Sequence, residues 1–128
     1  MKRFLALVLV AAITIASLCA CSNNAVNVSE KALAIAQSAI EATDDYLDSK
    51  VGYDEVSNKL TELENEMNYV YDKTDEERMK NNDFYVLSDI TIIRSCITND
   101  NFYNSDTSYK EIIEARNSLA EEAGLEKR

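Results

Sequence analysis

Residues 56–70 read VSNKLTELENEMNYV, and this stretch decides the fold class of the chain. Apolar side chains recur in it at alternating steps of four and three residues. They are Val56, Leu60, Leu63, Met67 and Val70. This spacing places all of them on one side of an α-helix, whereas a strand would alternate with a period of two. Glu62, Glu64 and Glu66 fall outside the stripe, and we expect them to face solvent.

The segment before this stretch has the same periodicity. Between Asn27 and Lys50 the stripe consists of Leu33, Ala36, Ile40, Thr43 and Leu47, widened by Ala39, Ala42 and Tyr46. Asn27 and Glu30 have the spacing of a capping box, which predicts the start of a first helix. Gly52, with Glu55 three residues later, predicts the start of the second helix.

Two more helical segments follow. The third contains Val86, Ile90, Ile93 and Ile97 at helical steps, although the β-branched run 90–93 leaves a strand as the alternative. The polar stretch 99–107 is rich in Asn and Asp and predicts a loop. Ser108 and Glu111 then predict the start of a fourth helix, and Gly124 is placed to end it in a left-handed conformation.

Four amphipathic segments with short connections predict an all-α fold, a small antiparallel bundle of three to four helices. We assign the bundle to residues 29–128, a length that can bury a hydrophobic core without a metal or a disulfide. One boundary stays open. The second helix breaks near Lys73, before a capping pair formed by Thr74 and Glu77, or continues to Met79.

The first 20 residues differ from the rest of the chain. Lys2 and Arg3 precede a run from Phe4 to Ala20 that contains no charged residue. A basic start, a short apolar segment and small residues at its end are the layout of a secretory signal peptide. An uncleaved membrane anchor is the alternative, because about 17 apolar residues are close to the lower limit for spanning a bilayer.

The run Leu18-Cys19-Ala20-Cys21 ends this segment. It resembles the lipobox of bacterial lipoproteins, in which a Leu and two small residues precede a Cys. The resemblance implies that residues 1–20 are a lipoprotein signal peptide and that Cys21 carries a thioether-linked diacylglycerol. After cleavage, residues 21–28 would be the lipidated N-terminus and a short tether. The domain would then be anchored in the cell membrane, on its extracytoplasmic face.

Two short stretches show a looser resemblance. Residues 46–56 read YLDSKVGYDEV, and residues 115–121 read ARNSLAE. They are similar to stretches of small helical lipoproteins of low-GC Gram-positive bacteria. Because that group has no assigned activity, the resemblance implies a setting at the membrane and no particular chemistry.

Composition excludes several classes of function. The chain has 128 residues and no histidine, which removes the commonest general base and metal ligand. Two glycines are too few for a Gly-rich phosphate loop. Without residues 1–20 the chain has 11 basic and 23 acidic residues, a net charge of −12. This charge excludes nucleic acid as a partner and suits a basic envelope protein.

No group of residues indicates a catalytic, cofactor or metal site. An acidic cluster surrounds the first turn and comprises Asp44, Asp45, Asp48, Asp54 and Glu55. It could bind a cation, as could the Asn and Asp residues of 99–106, but solvated helix ends and loop-forming side chains are the simpler interpretations. Glu62 and Glu66 lie one turn apart, yet a chain of this size is not expected to be a glycosidase. Cys96 is expected to be a buried small apolar side chain.

Seven tyrosines are the remaining candidates for a functional surface: Tyr46, Tyr53, Tyr69, Tyr71, Tyr85, Tyr103 and Tyr109. We expect them at the rim of the core with the hydroxyl outward. If several of them shared one exposed patch with acidic neighbours, a protein-binding face would be the better account. Arg94 and Arg116 interrupt apolar positions, which predicts that they reach the surface or pair with carboxylates.

The sequence therefore predicts a membrane-anchored, non-enzymatic lipoprotein that acts as a binding or structural module with an acidic surface. The alternative is a small-ligand carrier with a pocket between the helices, which requires a cavity that the core residues leave unfilled. Neither interpretation calls for a cofactor.

Overall fold

A computed structural model describes residues 27–72 and 82–128 of the chain. These residues form the helices α1 (Glu30–Leu47), α2 (Tyr53–Asp72), α3 (Asp83–Tyr103) and α4 (Asp106–Ala123). No strand is present in these two ranges, so the predicted all-α fold is confirmed and the strand alternative for residues 90–93 is wrong. None of the described helices is long and apolar enough to span a bilayer. The expected signal peptide, Cys21 and the region around Lys73 lie outside the described residues.

The helices pack as an antiparallel bundle. α1 contacts the other three helices, and α3 contacts both α2 and α4. Ser29 Oγ donates a hydrogen bond to Asp83 Oδ2 (2.7 Å) at one end, and Tyr46 Oη donates to Asp100 Oδ2 (2.8 Å) at the other. Both pairs are 54 residues apart, so α1 and α3 run in the same direction and in register. Short turns follow α1 and α3, so the next helix in each case, α2 or α4, runs in the opposite direction, as predicted.

The two ends of the bundle differ. The chain enters at what we call the tether end, where the Asn82 amide donates to the Asn27 carbonyl (2.6 Å). The Ser29 amide donates to Asp83 Oδ1 (2.8 Å) at the same place. Contacts with the bundle thus begin within the expected tether. The opposite end, the hairpin end, contains the α1–α2 turn (residues 48–52) and the α3–α4 turn (residues 104–105).

The core consists largely of the apolar side chains that the helical spacing predicts. The buried residues of the two stripes are Val56, Leu60, Leu63 and Met67 on α2 and Val86, Ile90, Ile93 and Ile97 on α3. On α1, Ile35 is buried although it lies outside the expected stripe, while Leu33 is only half-buried. Each large apolar side chain that is fully buried contributes about 1.5–3 kcal/mol to the free energy of unfolding.

The start of α1 differs from the prediction. Its N-cap is Ser29, whose Oγ accepts a hydrogen bond from the Ala32 amide (3.2 Å). The predicted capping box of Asn27 and Glu30 is therefore wrong. The physical reason is Asp83, which accepts hydrogen bonds from both the amide and the hydroxyl of Ser29 and so fixes that residue at the helix start.

The turn after α1 is longer than predicted. α1 ends at Leu47, three residues before the expected Lys50. Ser49 has φ of 59°, a left-handed conformation that reverses the chain direction. The Gly52 carbonyl accepts a hydrogen bond from the Val56 amide (3.1 Å), so α2 begins at its predicted place.

The connection between α3 and α4 is shorter than predicted. α3 continues through most of the expected loop 99–107, so that expectation is wrong. Asn104 ends α3 with φ of 42°, and Ser105 caps α4. The capping box consists of Ser105 and Ser108 instead of Ser108 and Glu111. Asn99 and Asn101 are exposed on the last turns of α3, where their side chains face solvent, and so they do not break the helix.

The end of α4 agrees with the prediction. Gly124 has φ of 66°, and the Leu125 amide donates to the Ala120 carbonyl (2.7 Å), which closes the helix in a Schellman motif. The chain then turns back along α4. Asn117 Nδ2 donates to the Arg128 carbonyl (3.1 Å), and the Arg128 amide donates to Asn117 Oδ1 (2.8 Å).

The prediction that Glu64 faces solvent on the outer side of α2 is wrong. Glu62 and Glu66 are exposed as predicted, but Glu64 is buried. Its Oε2 lies 2.7 Å from Arg94 Nε on α3. The N–H of that nitrogen is not aligned with an acceptor, so the contact is an ion pair without a well-formed hydrogen bond at Nε. Arg94 thus pairs with a carboxylate, one of its two predicted outcomes.

Asp89 is a buried carboxyl between α3 and α4. Ser118 Oγ donates a hydrogen bond to its Oδ2 (3.3 Å). Burial raises the pKa of the Asp89 carboxyl above its usual value; the Ser118 hydrogen bond lowers it, and the nearby charge of Glu122 adds to the rise. Because the folded state binds the Asp89 proton more tightly than the unfolded chain does, the ionised carboxyl lowers stability at neutral pH.

We therefore expect Asp89→Asn to raise the urea midpoint of unfolding at pH 7 without a change in the m-value. The gain should shrink as the pH falls toward the raised pKa of Asp89, because the wild-type carboxyl is then protonated as well. Urea titrations at pH 7 and at acidic pH, followed by circular dichroism, check this. A lower midpoint at pH 7 would contradict the assignment.

Candidate functional site

The candidate site is a cavity of about 540 Å³ at the hairpin end, between the α1–α2 turn and the α3–α4 turn. Its polar lining residues are Tyr46, Lys50, Asp100, Ser105, Asp106 and Tyr109. The two left-handed residues, Ser49 and Asn104, also line it. The cavity therefore exists because each turn reverses the chain sharply and the two turns lie side by side.

Asp100 is held in place by side chains from two other helical segments. Its Oδ2 accepts a hydrogen bond from Tyr46 Oη (2.8 Å), and its Oδ1 accepts one from Ser108 Oγ (2.9 Å). Burial, together with the hydrogen bond and charge of Asp100, raises the pKa of Tyr46 to about 12. Tyr46 thus remains a protonated donor at physiological pH, and Asp100 keeps its position in the cavity wall.

The charge of the cavity is negative. Lys50 Nζ lies 3.0 Å from Asp45 Oδ1 and 3.4 Å from Asp48 Oδ2. Both contacts raise the pKa of Lys50, and the contact with Asp45 has the larger effect. Lys50 is therefore neutralised by carboxylates. Asp100 and the exposed Asp106 supply the remaining charge. Carboxylates next to tyrosine rings are suited to a cationic group, because the ring faces also attract cations.

The Tyr46 hydroxyl can be tested on its own. We expect Tyr46→Phe to lower the free energy of unfolding by about 1.5 kcal/mol, because it removes a hydrogen bond to a half-buried carboxylate. Tyr53→Phe is the matched control: Tyr53 is also half-buried near this end, and its change should lie within about 0.5 kcal/mol of zero. Equal losses in urea denaturation would show that the bond to Asp100 is not the cause.

The acidic cluster around the first turn is largely paired with cations. Asp44 accepts hydrogen bonds from Arg116 Nε (3.1 Å) and Nη2 (2.8 Å). Asp48 bonds to Arg128, which lowers the pKa of the Asp48 carboxyl. Across residues 27–72 and 82–128, no three acidic or cysteine side chains group closely enough to hold a metal ion. Arg116 was predicted to reach the surface or to pair with a carboxylate, and it pairs with a carboxylate.

The tyrosines do not form one class. Tyr46 and Tyr53 lie half-buried at the core rim as expected, and Tyr46 and Tyr109 both line the cavity. Tyr85 and Tyr103 are more than half exposed on α3. Phe102, which is also largely exposed, was not among the residues predicted to form a functional surface. The sequence did contain a signal for Phe102, because it is a large aromatic residue within a stretch that was expected to be a polar loop.

Cys96 is half-buried against the core and forms no disulfide. Burial raises the pKa of the Cys96 thiol, and the charge of Glu111 adds to the rise. A raised pKa reduces the thiolate fraction, which is the nucleophilic form. Cys96 is therefore suited to packing and poorly suited to catalysis.

A second concavity lies between α1 and α2, toward the tether end. It is a groove of about 520 Å³ lined by Ala34, Ile35 and Val70 and by the longer side chains Lys31, Asn65, Glu66 and Tyr69. Most of its exposed lining is apolar. It is open to solvent along the surface and is separate from the hairpin-end cavity, with which it shares no residue.

Cys21, the predicted lipidation site, precedes the described residues. The position where the chain enters the bundle, at Asn27, is nevertheless fixed at the end opposite the cavity. Comparison of the chain with protein-family models, with curated proteins and with solved structures gives no match.

Proposed function

We propose that the protein is a lipid-anchored, extracytoplasmic binding protein without enzymatic activity, which presents the hairpin-end cavity to a basic group of an envelope protein. The observation that carries this proposal is the placement of the cavity. Its carboxylates Asp100 and Asp106 and its rings Tyr46 and Tyr109 lie at the end of the bundle farthest from the entry of the tether.

The anchor part of the proposal rests on the lipobox resemblance at Leu18–Cys21 and on the direction of α1. A helix of 18 residues is about 27 Å long, so α1 carries the chain from the tether end to the hairpin end. With Cys21 in the membrane, the cavity would face away from the bilayer. The net charge of −12 supports a domain that stands off the bilayer, because anionic headgroups repel an acidic domain within about 8 Å.

The partner class follows from charge. An acidic domain attracts basic proteins over a distance and repels acidic polymers such as nucleic acids. Within the cavity, a Lys or Arg side chain could contact the carboxylate of Asp106 and the ring of Tyr109. Charge-assisted contacts of this kind give specificity in addition to attraction.

The binding proposal is tested with a synthetic lysine-rich heptapeptide titrated calorimetrically into the purified protein at 0.15 M salt. We expect Asp106→Asn to weaken binding about fivefold, which corresponds to about 1 kcal/mol. The matched control is Glu114→Gln, which removes the same charge from an exposed position two turns further along α4. At this salt concentration a charge about 12 Å away is largely screened, so the control should leave binding nearly unchanged.

Equal weakening by Asp106→Asn and Glu114→Gln would mean that the peptide responds to total charge, and the cavity would lose its assigned role. Absence of measurable binding by the wild-type protein would contradict the basic partner. Turnover of an envelope substrate by the purified protein would contradict the non-enzymatic assignment.

The groove between α1 and α2 favours a second candidate function, the carriage of a small apolar ligand. Its volume of about 520 Å³ is within the range of ligand pockets, and Ala34, Ile35 and Val70 supply an apolar wall. Binding of the neutral dye N-phenyl-1-naphthylamine tests it. The carrier function requires saturable fluorescence enhancement that is lost in Ala34→Glu, and enhancement that is equal in both proteins would argue against it.

A further inference from the structure

The outer face of α3 contains no charged residue. Its exposed positions are Phe84, Tyr85, Thr91, Ile92, Ser95, Asn99, Asn101, Phe102 and Tyr103. The four charged residues of α3 are Asp83, Asp89, Arg94 and Asp100, and all of them are buried or paired with groups of other elements. Exposed charges occur on every other helix, for example Glu41 on α1, Glu62 on α2 and Glu114 on α4. An uncharged helix face is therefore exceptional in this acidic domain.

The same face exposes large apolar side chains. Exposure reaches 53% for Tyr85, 47% for Ile92, 74% for Phe102 and 77% for Tyr103. Since an aromatic side chain has roughly 150–250 Å² of surface, these four offer on the order of 500 Å². The smaller side chains between them extend the patch toward the roughly 800 Å² that each partner contributes to a stable interface. Exposed apolar patches of this size are often interaction sites.

The spacing on this face matches a coiled-coil seam. The sequence Tyr85, Ser88, Ile92, Ser95, Asn99 and Phe102 follows alternating steps of three and four residues. Three of these six positions, Tyr85, Ile92 and Phe102, have large apolar side chains of the kind that pack into the holes of a second helix. The small side chains at Ser88 and Ser95 allow close approach of the two helix axes, and Asn99 has the place at which a buried polar residue fixes register in two-stranded coils.

We propose that two copies of the protein pair in parallel through this seam of α3, about a two-fold axis along the helices. A second copy is favoured over a basic partner because a face without charge gains nothing from opposite charge. Two domains of net charge −12 repel each other when their charged surfaces meet. Contact through the uncharged face of α3 brings no like charges of α3 together. The pairing itself rests on α3 alone. The parallel direction rests on the proposed anchor, since it places both tethers at the same membrane.

Disulfide cross-linking of the full chain in intact cells tests the pairing. In a Cys96→Ala background, Ser88→Cys puts one thiol close to its equivalent in a parallel pair. With copper phenanthroline as oxidant, we expect at least half of the Ser88→Cys protein at twice the monomer mass on a non-reducing gel. Thr61→Cys, at an exposed hydroxyl position of α2, is the control and should remain monomeric.

Ile92→Glu places two carboxylates against each other in the seam and should abolish the Ser88→Cys cross-link. Because Ile92 is about half exposed, circular dichroism should show an unchanged fold. Cross-linking that is no greater than that of Thr61→Cys in both Ser88→Cys and the double variant Ser88→Cys/Asn99→Cys, or that survives Ile92→Glu, would overturn the pairing. Cross-linked bands at any other mass would overturn the choice of a second copy. A cross-link that requires both Ser88→Cys and Asn99→Cys would overturn the parallel direction.

The failure of the anchor can be recognised separately in the same samples. If Cys21 carried a free thiol, the Cys96→Ala background without an added cysteine could itself form dimers. We expect no dimer in that background. A dimer there would contradict acylation of Cys21, while the contrast between Ser88→Cys with and without Ile92→Glu would still decide the pairing.

Discussion

Replacing Asp44 by alanine is expected to lower the free energy of unfolding by about 3 kcal/mol. Asp44 forms two hydrogen bonds with Arg116, whose side chain is only 8% exposed. Without Asp44, the guanidinium keeps Glu126 O (2.6 Å) and Asn117 Oδ1 (3.3 Å) as acceptors but has no countercharge. Breaking a buried pair by removing one partner typically costs about 3–5 kcal/mol, and partial exposure of Asp44 places this pair at the lower limit.

The adjacent Asp45 provides a matched control. Its carboxylate pairs with Lys50 at the surface, and both side chains are about half exposed. Asp45→Ala should therefore cost at most about 0.5 kcal/mol. The double variant Asp44→Ala/Arg116→Met should recover much of the loss, because it removes the unpaired buried charge. Urea denaturation checks all three, and equal losses for Asp44→Ala and Asp45→Ala would contradict the burial argument.

Leu60→Ala is expected to have an effect of similar size, about 3 kcal/mol. Leu60 lies in the centre of the α2 stripe and is completely buried. Truncation removes three carbon atoms from the core and leaves a cavity that the surrounding helices fill only partly. The m-value should stay constant, because the bundle as a whole still unfolds in one transition.

The neighbouring Thr61 is the control for this substitution. It is exposed, and its hydroxyl donates only to the Ser57 carbonyl of its own helix (2.8 Å). Thr61→Ala should change the free energy of unfolding by no more than about 0.5 kcal/mol. A small effect of Leu60→Ala would mean that this stripe does not form the core.

The helices were predictable because their signal is local. Val56, Leu60 and Ile93 are each buried as the spacing of three and four residues requires. The Gly124 terminator was likewise predictable, because its left-handed conformation depends on one residue type. Periodicity and single-residue conformational preferences need no knowledge of the remaining chain.

Three of the missed features depend on distant partners or on solvent. Glu64 looked solvated, but its ion pair with Arg94 is formed by a residue 30 positions away. Ser29 caps α1 because of Asp83, 54 residues later. The Asn- and Asp-rich stretch remained helical because its side chains point outward, which composition does not reveal.

The candidate site was only partly predictable. The seven tyrosines were expected at the core rim, with a shared interaction surface as the alternative, and Tyr46 and Tyr109 do line the cavity with Asp106. The cavity itself arises from the proximity of two turns, which no local pattern encodes. The uncharged face of α3 was readable in principle, since Ile92 and Phe102 fall on the side opposite the buried stripe.

The central claim is that Cys21 anchors this bundle to the membrane, and mass spectrometry of the N-terminal peptide of the protein from its membrane fraction tests it most directly. We expect the peptide to begin at Cys21 and to carry the mass of a diacylglycerol on the sulfur. Cys21→Ala should retain residues 1–20 and incorporate no labelled fatty acid. An unmodified Cys21 on a mature chain found in the soluble fraction would contradict the account.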